Sequence, residues 1–242
     1  MSQLSSTNAF EKCLAYLQSQ LSDSGKKKVK RIMHPSITIS RMAGARADVI
    51  GPKLAAYLST YDMQSEIPWA LFDKNLIQRV LEDNALPKRL EKAFAEDKLH
   101  IVEDLISEIF GKDPSNWFLF QKICNTIYRL AKLGNSIIVG RGSNIIAMGL
   151  PNAFHVRLIG SVEKRTAYIK EKHQLSENEA RLYIKKTDRA RENYVRGRFD
   201  KDINDPSLYH LVINTDWLSD EEIIILIGEA VLQKIRLAQT AS

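Results

Sequence analysis

Ser36-Ile37-Thr38-Ile39-Ser40-Arg41-Met42-Ala43-Gly44-Ala45-Arg46 is the stretch that decides the fold. Its first five residues form a β-branched run suited to a short buried strand. A loop at Arg41–Arg46 follows, and then a helical stretch through Ala55, Ala56 and Leu58. Pro52 either stands near the start of that helix or marks a break in it. Strand, tight loop and helix, in this order, open a nucleotide-binding α/β unit.

Working outward, Trp69–Phe72 reads as a second strand ending in Asp73, and residues 74–133 are mostly helical by period. Asp113-Pro114 supplies an N-cap and first-turn pair within that stretch. Ser136–Val139 is a third strand, Ala153–Ile159 a fourth and Leu211–Ile213 a fifth. Ser161 caps the helix after the fourth strand. Ser176-Glu177-Asn178-Glu179 and Ser219-Asp220-Glu221-Glu222 are capping boxes opening two more. Five short apolar strands separated by helices predict an α/β protein with a parallel sheet covered on both faces. A long helical insertion separates strands two and three.

Residues 8–21 place Phe10, Leu14, Leu17 and Leu21 at helical spacing, and a polar linker follows through the basic run Lys26–Arg31. The chain of 242 residues is 44% hydrophobic and 26% charged, which suits a folded protein and excludes collagen, coiled-coil and low-complexity classes. Its longest apolar run, Ile223–Ile227, is far short of the roughly 20 residues of a membrane helix. With no secretory pattern at the N-terminus, the expected compartment is the cytoplasm. Cys13 and Cys124 form no C-x-x-C pair and the five histidines no ligand spacing, so no protein-built metal site is expected.

The net charge of +6 is local rather than general. Five basic residues fall in Lys26–Arg31, and Glu163–Lys201 holds twelve basic against seven acidic residues. The rest of the chain is net acidic. That pattern argues against broad nucleic-acid wrapping and for a localised phosphate-binding element.

In an open parallel sheet, ligands bind beyond the carboxyl ends of the strands. Strand one is followed by Ser40, Arg41, Gly44 and Arg46, strand two by Asp73, and strand three by Gly140-Arg141-Gly142. Glycine lets backbone N–H groups approach an anion, and guanidinium grips phosphate oxygens through paired hydrogen bonds. Solvated loop arginines, turn glycines and an N-cap aspartate are the plainer alternatives. Residues 181–198 add a basic helix in which Lys185, Arg189 and Arg196 share one face. Such a helix is either cationic cover for phosphoryl transfer or a solvated face laced with ion pairs.

Ser40-Arg41-x-x-Gly44, Phe72-Asp73-Lys74-x-Leu76-Ile77 and Ile138-Val139-Gly140-Arg141-Gly142 resemble motifs of the cytidylate kinase-like family. So do Phe154-His155-Val156-Arg157-Leu158, Glu163-Lys164-Arg165, Asp188-Arg189-x-Arg191-x-x-Tyr194 and Asp205-Pro206-x-x-Tyr209-x-Leu211-Val212-Ile213-Asn214-Thr215. The resemblance spans about residues 35–235. It implies a three-layer, P-loop NTPase-like domain over 35–242 with a helical lid at about 176–200, preceded by an N-terminal helix and basic linker over 1–34. It further implies ATP with Mg²⁺ as phosphoryl donor and a nucleoside monophosphate, CMP or dCMP first, as acceptor.

By the same resemblance, Ser40, Arg41, Gly44 and Arg46 would hold the ATP phosphates. Asp73, Gly140, Arg141, Gly142 and Arg165 would form the acceptor site. Arg141, Arg189, Arg191 and Asp188 would act in transfer, Asp188 by orienting the lid arginines or by touching the metal's water shell. The loop itself departs from pattern. Where the family places two further glycines and a basic residue, this chain has Arg46, Ala47 and Asp48. The expectation is therefore a nucleotide kinase-like phosphotransferase or, in its place, a catalytically silent nucleotide-binding or regulatory protein.

Overall fold

The computed structural model describes residues 34–62, 65, 67–73 and 114–240. Helix 8–21, the run Lys26–Arg31 and the helical reading of 74–113 lie outside the described residues. All five strands form: β1 (Ser36–Arg41), β2 (Ala70–Phe72), β3 (Ser136–Val139), β4 (Ala153–Ile159) and β5 (Leu211–Asn214). They pair in parallel in the order β2-β3-β1-β4-β5. The helices are α1 (Ala47–Tyr61), α2 (Pro114–Leu133), α3 (Ser143–Ile146), α4 (Val162–His173), α5 (Glu177–Phe199) and α6 (Asp220–Thr240). Among the described residues, no helix is long and apolar enough to cross a membrane.

Side-chain alternation along the strands builds the three layers. Ile37, Ile39, Val139, Phe154, Val156, Leu158 and Ile213 face α1 and α6 in one core. Ile138, Ala153 and Phe72 face Ile127, Leu130 and Ala131 of α2 and Ala147 in the other. The fold is thus an α/β sandwich of the P-loop NTPase type, with β1 central and flanked by β3 and β4. Helix α1 runs unbroken through Pro52, which resolves the alternatives for that residue. Helix α2 begins at Pro114, where the missing N–H has no helical partner to lose. Ser161 caps α4, and the capping box of Ser176 and Glu179 opens α5. Ser219 and Glu222 bond reciprocally at the start of α6.

Not every inward position is apolar. Thr38 and Ser40 of β1 stand in register with His155 and Arg157 of β4, and all four are buried. The Thr38 hydroxyl lies 2.8 Å from His155 Nδ1. The His155 backbone N–H donates to His210 Nδ1 at 2.9 Å, and the His210 ring stacks on Phe154. Burial, with His210 and Lys234 nearby, pushes the His155 imidazole down to about 4.

That shift has a definite sign. The folded chain keeps His155 neutral, whereas in the unfolded chain it takes up a proton near its ordinary value of about 6.5. Its contribution to stability is therefore complete above pH 6.5 and is lost as pH falls toward 4. The full loss is on the order of 3 kcal/mol. Melting temperatures followed from pH 7 to pH 5 should fall for the wild-type chain and fall less for His155→Gln. Parallel slopes for the two proteins would refute the assignment.

Candidate active site

The loop between β1 and α1 is shaped by what covers it. Met42 N–H continues the β1–β4 ladder to Leu158 O at 3.0 Å, and Ala45 N–H turns back to Met42 O at 3.2 Å. Gly44 sits at φ +80, and a Cβ there would lie 2.7 Å from the Arg165 carbonyl oxygen. Glycine is required on both counts. Ala43 packs against Ile169 of α4 and Ala180 and Ile184 of α5, so the α4–α5 hairpin roofs the loop.

Three charged residues fasten that roof. Asp188 accepts the Ala43 backbone N–H at 2.7 Å through one carboxylate oxygen and Arg165 Nη1 at 2.7 Å through the other. Arg165, 6% exposed, also donates to Ala43 O at 2.9 Å and to Gly160 O at 2.9 Å. Arg191 Nη1 donates to Arg41 O at 3.0 Å and stands 3.8 Å from Asp188.

Across β1, on the β3 side, the chain makes a second loop. Gly140, Arg141 and Gly142 all lie at positive φ, at 83°, 57° and 68°. A Cβ on Gly140 would overlap Nη1 of Arg41, whose guanidinium lies on that glycine. A Cβ on Gly142 would overlap the Phe199 ring. Arg141 places its guanidinium 5.9 Å from the centre of the Tyr194 ring, and Tyr194 meets Phe120 and Phe199 edge-on.

Arg41 thus sits among cations. Burial, followed by the charge of Arg191, pushes its guanidinium down to about 10; Asp73 opposes the shift and Arg141 adds to it. Arg191 is likewise lowered, mainly by burial, with Asp188 opposing and Arg157 and Arg165 contributing. Among the described residues Arg41 has no ion-pair partner. A largely desolvated guanidinium with no carboxylate in ion-pair contact among the described residues is an unfavourable arrangement that a bound anion relieves.

Most residues singled out in the sequence gather at this edge: Arg41, Gly44, Asp73, Gly140, Arg141, Gly142, Arg165, Asp188 and Arg191. Three do not. Arg46 takes a left-handed conformation at φ 55, and its guanidinium turns away to the β5–α6 connection. There it pairs with Asp220 at 2.7 Å and donates to Thr215 O and Leu218 O. It bolts α1 to α6 instead of offering a free cation to the loop. The Ser40 hydroxyl faces into the sheet, accepting from Arg157 Nη1 at 2.8 Å and Tyr209 Oη at 3.2 Å. Arg189 is exposed, and among the described residues it makes no hydrogen bond or ion pair. Lys185 and Arg196, which share its face, are exposed as well, whereas Ile184, Asp188, Arg191 and Val195 form the inward face of α5.

Sequence reasoning missed several contributors. Buried Arg157 holds Ser40 and Asn204 and lies 5.7 Å from the Tyr209 ring centre. A charge at an inward position of an otherwise apolar strand was the available signal. Tyr168 and Lys172 of α4 both bond the Asp48 carboxylate. Burial pushes that carboxyl up, but Lys172, Tyr168 and its own backbone N–H outweigh burial and hold it below the usual range.

A search of curated proteins finds no match. Among solved structures, an uncharacterized protein from Eubacterium ventriosum is 20% identical, with a TM-score of 0.66 over 83% of this chain and 99% of that one. A shikimate kinase from Bacteroides thetaiotaomicron is 14% identical, with a TM-score of 0.40 over 86% of this chain and 97% of that one. The first of these likenesses concerns the fold. The family model described as the cytidylate kinase-like family matches residues 36–217, from the first residue of β1 to the connection before α6, and the chain belongs to that family.

Proposed function

We propose that the chain is a nucleotide kinase-like phosphotransferase that moves the γ-phosphoryl group of ATP to CMP, dCMP or a related small acceptor. The observation that carries this reading is Arg41, seated on Gly140 beside Arg141 and Arg191 with no ion-pair partner among the described residues. A phosphate monoester is an anion of the right charge for such a cluster, and guanidinium binds its oxygens in pairs.

In this reading Arg41 and Arg141 hold the acceptor phosphate from the β1 and β3 loops, and Arg191 reaches it from α5. Asp73, just after β2, offsets part of the shift that burial imposes on Arg41. The arginines stabilise charge as it spreads over the transferring oxygens, and positioning does the rest; no covalent intermediate is needed. Asp188 and Arg165 set the path of the donor loop and are positioning residues. Mg²⁺ belongs to the ATP substrate. A P-loop supplies at its end a lysine for the phosphates and a hydroxyl for the ion. Arg46-Ala47-Asp48-Val49 supplies neither, and the Ser40 hydroxyl is taken. The residues present do not fit a protein-held magnesium, so no step is assigned through it.

Asp48 favours a second reading. It puts a carboxylate where the family's loop carries a cation, which suits a nucleotide-binding protein that keeps the acceptor pocket and transfers nothing. Incubation with γ-labelled ATP, Mg²⁺ and a panel of nucleoside monophosphates separates the two. Transfer to CMP or dCMP is expected, reduced about 10²- to 10³-fold in kcat/KM by Arg141→Ala. Absent transfer with CMP still bound would establish the silent binder, and absence of both would reject the nucleotide site. Gly140→Ala, whose new Cβ displaces Arg41, should weaken CMP binding by about tenfold without loss of the folded state. Unchanged affinity would remove Arg41 from the acceptor site.

A further inference from the structure

Resting on the phosphotransferase reading, we propose that the donor loop is latched by two of the chain's own carboxylates, Asp188 and Asp48, which stand where the oxygens of a polyphosphate would bind. A polyphosphate reaches the loop only by displacing them.

Backbone N–H groups of a loop that leads into a helix are the donors that cradle phosphate. Here the Ala43 N–H is already taken at 2.7 Å by Asp188, a charged oxygen acceptor of the same hydrogen-bonding character as a phosphate oxygen. Asp48, in the first turn of α1, accepts its own backbone N–H, so a second negative charge sits at the helix start. The macrodipole favours an anion there whatever molecule supplies it.

Each carboxylate has its counter-cation, and both cations come from α4. Arg165 pairs with Asp188 at 2.7 Å, and Lys172 pairs with Asp48, joined by the Tyr168 hydroxyl at 2.7 Å. Residues 165, 168 and 172 are three and four apart, on one helical face turned toward the loop. The Arg165–Asp188 pair is largely shielded, with side chains 6% and 21% exposed. The latch therefore neutralises the loop from within. On release, Arg165 and Lys172 are handed to the incoming phosphates, one ion pair being exchanged for another. Arg41 stays outside this exchange, since it carries no such internal partner among the described residues, whereas Arg191 stands 3.8 Å from Asp188 and shares in the release.

Calorimetric titration of the full chain with pyrophosphate, in saturating CMP so that the acceptor arginines are filled, tests the latch. Asp188→Asn and Asp48→Asn each remove one competing charge. Both should bind pyrophosphate about tenfold more tightly than wild type, whereas Asp188→Glu, which keeps the charge, should not. Equal or weaker pyrophosphate binding by the two Asn variants would overturn the proposal, showing that these carboxylates only hold the fold. Circular dichroism checks that each variant is folded. Should Asp188→Asn fail to fold, Asp48→Asn decides alone, because its pair with Lys172 is substantially exposed. A separate titration with CMP judges the underlying reading: wild-type chain that binds no CMP refutes the acceptor site, whatever the pyrophosphate series shows.

Discussion

Arg165 is the residue on which the geometry of the site depends. Its guanidinium is buried, and every bond it makes ties a different segment to the others: the β1–α1 loop through Ala43 O, the β4–α4 turn through Gly160 O, and α5 through Asp188. A buried cation tolerates no missing partner, because the desolvation of an unpaired charge exceeds what pairing contributes. The three segments are therefore fixed together. Gly44 follows from the same constraint, since the Arg165 backbone passes too close to leave room for a side chain.

The two sides of β1 are electrostatically unlike. Toward β3, Arg41 lies on Gly140 with Asp73 opposing its shift; burial lowers both Arg41 and Arg191, helped by Arg191 and Arg141 in the first case and by Arg157 and Arg165 in the second. Toward α4, three cations are matched: Arg165 by Asp188, Lys172 by Asp48, Arg46 by Asp220. One half holds a guanidinium, Arg41, to which the described residues give no paired anion. The other already contains its own. Among the described residues, a single fold thus presents one side with an unpaired guanidinium and one with paired cations, and net charge alone conceals the difference.

What the sequence makes legible is what depends on neighbours in the chain. Apolar runs locate all five strands to within a residue, and caps at Ser161, Ser176 and Ser219 mark helix starts because capping acts over three residues. The residues at the strand ends, including Gly140-Arg141-Gly142, follow from the rule that parallel sheets bind ligands at that edge. What fails depends on distant partners. Arg46 looks like a loop cation, yet Asp220, 174 residues away, claims it. Ser40 looks like a phosphate ligand, yet its register partner Arg157 turns it inward. On α5 the density of charge suggests the face of Lys185, Arg189 and Arg196. The apolar spacing of Ala180, Ile184 and Val195 marks the opposite one, which carries Asp188 and Arg191 inward. Hydrophobic period is the better guide to a buried face, because charges are placed on both.

The anchoring of α5 bears on how such a site can open. Near its C-terminal end, Tyr194 and Phe199 join Phe120 and Cys124 in an apolar cluster, with Phe199 lying directly on Gly142. That end is held by burial and ring packing, to which Arg141 over Tyr194 and Arg198 over Phe120 add cation–π contacts. The middle of the helix, in contrast, is fastened to the β1–α1 loop and the end of β1 by Asp188 and Arg191, through charged hydrogen bonds. The hairpin is therefore held by two kinds of contact, ring packing near the end of α5 and charged hydrogen bonds in its middle. An anion competes for the charged bonds in the middle of the helix and not for the aromatic packing at its end.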